Sequence, residues 1–161
     1  MKKIVVMNRE MAKKYSFRTD IPKTIIISIS DTHQAANIFY PNDNIVDVLH
    51  LNFDDVDTDS TNAMQPSAAE TVISFVNRYI NDIDQIVVHC GAGISRSAGI
   101  AAALMLIING NDKAIFENGR YCPNMLCYKL MLNAYFGTYD SSAIDEKLTT
   151  NIEAWRKLND I

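Results

Sequence analysis

Val88-His89-Cys90-Gly91-Ala92-Gly93-Ile94-Ser95-Arg96-Ser97 puts a thiol and a guanidinium at the two ends of a short loop that contains two glycines. Before it, Gln85-Ile86-Val87-Val88 is apolar and β-branched and reads as a buried strand; after it, Ser97 to Leu106 reads as an apolar helix. A loop between strand and helix turns successive backbone N–H groups towards one point, and the helix amino end adds partial positive charge, so an oxyanion binds there. Gly91 and Gly93 open backbone conformations closed to residues with a Cβ and let amides approach a ligand closely. The same field favours a thiolate at a helix amino terminus beside a cation, so Cys90 is expected as an anion at neutral pH. Arg96 adds a planar fork that holds two phosphate oxygens at once. The pattern predicts a phosphate cradle, built from Gly91, Ala92, Gly93, Ile94, Ser95 and Arg96, with a nucleophile inside it.

Outward from this loop the chain alternates strands and helices. Lys3 to Met7, Thr24 to Ser30 and Ile45 to Phe53 read as strands, with Met11 to Phe17 as a weak helix or a loop. Asp54 to Gln65 is polar and reads as a loop. Ser67-Ala68-Ala69-Glu70 after Pro66 has the form of a capping box, which predicts a helix running to Ile80 with Val72, Phe75, Val76 and Tyr79 on one face. Asp112 to Glu117, Met125 to Phe136 and Ile144 to Leu158 read as further helices, with Gly110, Gly119 and Gly137 as stops. The alternation implies an α/β fold: a mostly parallel central sheet of four to five strands flanked by helices on both faces, with ligands at the carboxyl ends of the strands, where Cys90 falls.

A thiolate attacking phosphorus expels a poor leaving group unless a proton arrives with it, so a general acid must share the mouth of the cradle. The loop after the third strand offers Asp54, Asp55, Asp57 and Asp59. His89 adjoins the nucleophile in sequence, but neighbouring side chains of a strand point to opposite faces, which makes it a structural residue whose hydrogen bond fixes the loop. His33 and His50 have no evident partner, and Cys122 and Cys127 lack the further ligands a zinc site requires.

Cys90-x5-Arg96-Ser97, preceded by His89, resembles the catalytic loop of the cysteine-dependent protein tyrosine phosphatases, and the short chain is similar to their compact dual-specificity-like and small bacterial-type members. Phe53-Asp54-Asp55 and Pro123-Asn124 add to the resemblance, which covers most of residues 1–137. It implies that the acid lies some thirty-odd residues before the nucleophile and, through Leu51-x-Phe53-x-Asp55, that it is Asp55, with Asp57 next in line and Asp54 also open. It further implies that Ser97 hydrogen-bonds the sulfur as phosphocysteine is cleaved, that Asp55 then acts as base on water, and that Asn124 helps order the catalytic loop. The expected activity is phosphomonoester hydrolysis on phosphotyrosine, with phosphoserine and phosphothreonine left open, through a phosphocysteine. No cofactor and no metal are implied. The alternatives are a catalytically silent phosphotyrosine-binding module and a rhodanese-like sulfurtransferase, which also uses a loop thiolate but needs neither an acid loop nor Arg-Ser.

The 161 residues suit one catalytic domain, 1–161, with 138–161 as a C-terminal helical extension. Fifteen basic against 19 acidic residues give a net charge of −4, which offers no general attraction to nucleic acid or to an anionic membrane. The loop carries no lysine, which favours a phosphoprotein or phosphopeptide over more highly charged phosphoinositide or RNA substrates. Three cysteines without framework spacing and the short apolar start Ile4-Val5-Val6-Met7 point to a cytoplasmic protein.

Overall fold

Strands Thr24–Ser30 (β2) and Gln85–Cys90 (β4) are buried at every residue, so each carries an apolar run, Ile25–Ile27 and Ile86–Val88, instead of alternating apolar and polar positions. A computed structural model describes all residues 1–161, and in it these strands lie side by side at the centre of a four-stranded, all-parallel sheet. Lys3–Asn8 (β1) flanks β4 and Ile45–Asn52 (β3) flanks β2, giving the order β1-β4-β2-β3. Ile27 stands beside Val88 and Val88 beside Val6, so the carboxyl ends of β1, β4 and β2 come out level with one another.

Side-chain parity divides the core. Ile25, Ile27, Ile29, Ile86, Val88 and Cys90 face the larger cluster, under Pro66–Tyr79 (α2), Arg96–Leu104 (α3) and Met125–Phe136 (α5). Ile26 and Val87 face the smaller one, which is closed by Tyr15 of Arg9–Tyr15 (α1) and by Ile21 and Phe39. Helices therefore cover both faces, as the alternation predicts, although one face has only a seven-residue helix and irregular chain. Each fully buried isoleucine of β2 contributes roughly 1.5–3 kcal/mol through burial.

Several boundaries differ from the sequence expectation. Helix α2 starts at Pro66 with Gln65 as its cap residue; Ser67 is already inside the helix, so the expected capping box does not form. Proline at the first helical position needs no amide partner and moves the start one residue back. Helix α3 ends at Leu104 and continues as one π-helical turn, Met105–Asn109, stopped by Gly110. Helix α1 is a regular helix, held at its start by the Asn8 side chain, which accepts from Met11 N at 2.7 Å. After the short α4, Lys113–Phe116, the last helix α6 begins at Ser141, capped by Asp140, three residues before the expected start. It docks through buried Ile144, through Asn151 Nδ2 donating to Tyr121 O at 2.8 Å, and through Lys147, whose ammonium meets Asp112 and Tyr128. No helix is long and apolar enough to cross a membrane.

Candidate active site

The loop after β4 is shaped by bonds on its outer side. Gly91 O accepts from Arg9 N at 3.1 Å, Ile94 O from Cys122 N at 3.1 Å, and Ser95 O from Asn124 N at 2.9 Å. With these carbonyls tied outward, the amides of Gly93, Ile94 and Ser97 turn inward and donate to the Cys90 sulfur. Gly93 is the residue that permits this turn: its φ is +69°, and a Cβ there would lie 2.6 Å from Asn8 N and 2.7 Å from the Met7 carbonyl. Gly91 does not need to be glycine on backbone grounds. Its φ is not positive, and a Cβ there would meet only Arg96 Nη2 at 3.6 Å, which corrects the expectation that both glycines are conformationally required.

Cys90 is 2 % exposed at the floor of the loop, and its Sγ lies 3.1 Å from Ser97 Oγ. Burial pushes the thiol pKa up, but the Ser97 hydroxyl and the N–H groups of Ser97, Gly93 and Ile94 outweigh it, so the pKa falls below the ordinary thiol value. Arg96 is buried as well. Its Nη1 donates to Asp31 Oδ1 and to Phe53 O, both at 2.7 Å, while its Nε is buried without a partner. The guanidinium is thus anchored through one nitrogen, Nη2 lies against Gly91, and Nε is left as an unsatisfied donor of the kind a phosphate oxygen would occupy.

The acidic loop separates its four carboxylates by position. Asp55 Oδ1 accepts from Ser95 Oγ at 2.8 Å and from Asn124 Nδ2 at 3.0 Å, which brings it to the rim of the cradle with Oδ2 left to carry a proton. Asn124 also donates to Val56 O and caps α5 by accepting from Cys127 N, so one side chain links the acid loop, the catalytic loop and a helix start. Asp54 is turned to Thr32 N at 2.9 Å, and that backbone N–H holds its carboxyl below the usual carboxylate range. Asp57 and Asp59 are exposed and make no hydrogen bond to the loop.

His89 lies on the opposite face from the sulfur, fully buried. Its Nε2 is 2.6 Å from Ser28 Oγ and its Nδ1 3.1 Å from the Cys90 carbonyl. His50 pairs its ring with Phe39, Cys122 is exposed, and Cys127 is buried beneath Gly99 with its thiol pKa raised by burial. No group of three His, Cys, Asp or Glu side chains is placed to hold a metal.

Three contributors were not read from the sequence. Asp31 is bonded to Arg96, Arg9 ties its own N–H to Gly91 O, and Asn37 bridges Arg9 O and His89. A usable signal existed for Asp31: it directly follows β2, the neighbour of the strand that ends in Cys90, and residues just past parallel strands gather at one edge.

Among solved structures the chain is similar to human tyrosine phosphatase-like serine/threonine/tyrosine-interacting protein, at 18 % identity over 94 % of this chain and 92 % of that one, with a TM-score of 0.52. It is also similar to OH1 from Orf virus, a tyrosine phosphatase described as having triple substrate specificity (15 % identity, 84 % and 83 % covered, TM-score 0.52), and to PTPMT1 in complex with PI(5)P (14 %, 90 % and 94 %, 0.51). No protein-family model and no curated protein matches it. The chain has the tyrosine phosphatase fold.

Proposed function

We propose that the chain is a cysteine-dependent phosphoprotein phosphatase acting on phosphotyrosine. The observation that carries this reading is the pairing of a buried, amide-stabilised sulfur with a buried guanidinium whose Nε has no partner inside the protein. The fold it shares with known phosphatases supports it.

The substrate phosphate sits on the inward amides with two oxygens on the Arg96 fork. Cys90 Sγ attacks phosphorus, a P–S bond forms and the ester P–O bond breaks, and the departing oxygen takes the proton of Asp55. Asp55, now a carboxylate, takes a proton from water as that water attacks phosphorus. The P–S bond breaks, and the Ser97 hydroxyl 3.1 Å away stabilises the departing thiolate. Inorganic phosphate leaves with Asp55 protonated again, so the cycle balances with water as co-reactant. Helix α6 packs away from this chemistry, against α4 and the segment before α5.

The test is hydrolysis of para-nitrophenyl phosphate and a panel of phosphopeptides with chelator present. Turnover, best on phosphotyrosine, is expected from the native chain, and its loss with retained vanadate binding from Cys90→Ser. Undiminished turnover by Cys90→Ser would remove the sulfur from the mechanism, and transfer of sulfur from thiosulfate to cyanide in place of hydrolysis would replace the reading altogether.

A further inference from the structure

A groove of about 620 Å³ opens beside the cradle, between α1 and the segment that follows β2, with Gly91 and Ala92 forming one of its edges. That is the size of a small-molecule site, roughly 300–1,000 Å³, and far more than a phosphate requires; Cys90 is not among its walls. The groove shares Gly91 and Ala92 with the cradle and so adjoins it directly.

The walls are held firm from inside. The Arg9 guanidinium donates to Ser30 Oγ and to Ala35 O, both at 2.8 Å, and Asn37 Nδ2 donates to Arg9 O at 3.0 Å. The floor is low and apolar, since Ala35, Ala36 and Ala92 carry nothing beyond Cβ, and Ile38, 71 % exposed, stands as a lip. Of the charges at the rim, Glu10 pairs with Lys14 at 3.2 Å, the Arg9 guanidinium is fixed in the wall by neutral acceptors and keeps its charge, and the exposed Lys13 ammonium has no acidic partner. The groove thus presents a short apolar floor with two uncompensated positive charges, the wall-bound Arg9 guanidinium and the free Lys13 ammonium at the rim, in a chain of net charge −4.

We infer that this groove receives the polypeptide next to the phosphorylated residue and selects for an acidic side chain opposite Lys13, with small or apolar neighbours over the alanines. The inference rests on the phosphatase reading and names its substrate class. A polyphosphate or an inositol phosphate brings several further negative charges, for which an alanine floor, one free ammonium and a guanidinium whose two Nη atoms already donate to the wall are a poor match; an extended peptide of mixed side chains matches both the floor and the rim.

The experiment measures anisotropy of labelled phosphotyrosine peptides, flanked by Glu, Ala or Lys, on Cys90→Ser protein, together with their hydrolysis by the native enzyme relative to para-nitrophenyl phosphate. The Glu-flanked peptide is expected to bind about fivefold more tightly than the Lys-flanked one, the size of one exposed ion pair, and the gap is expected to shrink with added salt. Lys13→Glu should invert that order. Ala36→Trp, which fills the floor from an exposed position, should weaken all the peptides against free phosphotyrosine by about tenfold. Equal binding of the three peptides, unaltered by either variant, overturns the groove while para-nitrophenyl phosphate turnover still upholds the phosphatase. Absence of that turnover overturns the phosphatase, and the binding arm still decides the groove. An inositol phosphate that outcompetes every peptide overturns the substrate class.

Discussion

Acid should destabilise this protein through one histidine. The Cys90 carbonyl can only accept, so the Nδ1 of His89 carries the proton, and its Nε2 accepts from the Ser28 hydroxyl at 2.6 Å and from the Asn37 amide at 3.4 Å. A second proton, on Nε2, would face the Asn37 N–H and create a charge with no counter-ion. Burial, aided by the positive charges of Arg9 and Arg96, pushes the imidazole pKa from 6.5 down to about 4 despite the bond to the Cys90 carbonyl. The unfolded chain therefore takes up this proton at a higher pH than the folded one. Stability from this group is complete above about pH 7 and is lost as pH falls from 6.5 towards 4. At about 1.4 kcal/mol per unit, a gap of about 2.5 units corresponds to about 3 kcal/mol, a large share of a domain's roughly 5–15 kcal/mol. The assay is urea unfolding of native protein and of His89→Gln at constant ionic strength from pH 7.5 to 4. The variant should be less stable at neutral pH, and the difference should narrow by about 3 kcal/mol across the window. Stability curves that run parallel for the two proteins would refute the reasoning.

Asp55→Asn should lower kcat by about two to four powers of ten, whereas Asp57→Asn, at an exposed position without contact to the loop, should stay within about threefold; the reverse result in steady-state kinetics would transfer the acid role to Asp57. Ser97→Ala deletes the hydroxyl 3.1 Å from Sγ, a bond to a charged group contributing about 1.5–3 kcal/mol. The acidic limb of kcat/KM should move to higher pH, and rapid quench should show phosphoenzyme accumulating as its cleavage slows by about ten- to a hundredfold. Gly93→Ala forces a Cβ to within 2.6 Å of the β1 backbone at φ +69°. It should destabilise by roughly 2–4 kcal/mol and lower Tm by about 5–15 °C, while Gly91→Ala leaves Tm unchanged in the same scanning calorimetry.

What was legible in the sequence was what the chain encodes locally. The bounds of β2 and α5 agree with expectation, because an isoleucine-rich run between polar ends and an apolar helix closed by a glycine are complete signals over a dozen residues or fewer. Cys90, Arg96 and Ser97 were visible for the same reason: one turn of chain brings them together. The start of α2 was misplaced because two local signals competed there, a capping box at Ser67 and a proline at Pro66, and the proline prevailed.

What was not legible is how the loop is held. Its amides point at the sulfur because Arg9, Cys122 and Asn124 draw three of its carbonyls the other way, from positions before β2 and after α3. Arg96 is aimed by Asp31 and by the Phe53 carbonyl, which come from the ends of two other strands. Asn124 and Phe53 stood out only through the family resemblance, and Arg9, Cys122 and Asp31 have no pattern of their own; each matters because a parallel sheet with the order β1-β4-β2-β3 brings those ends to one edge. The cradle is therefore a property of the sheet as much as of the loop. A peptide of residues 85–104 would carry every residue of the catalytic loop and still lack the outward ties that turn its amides towards the thiolate.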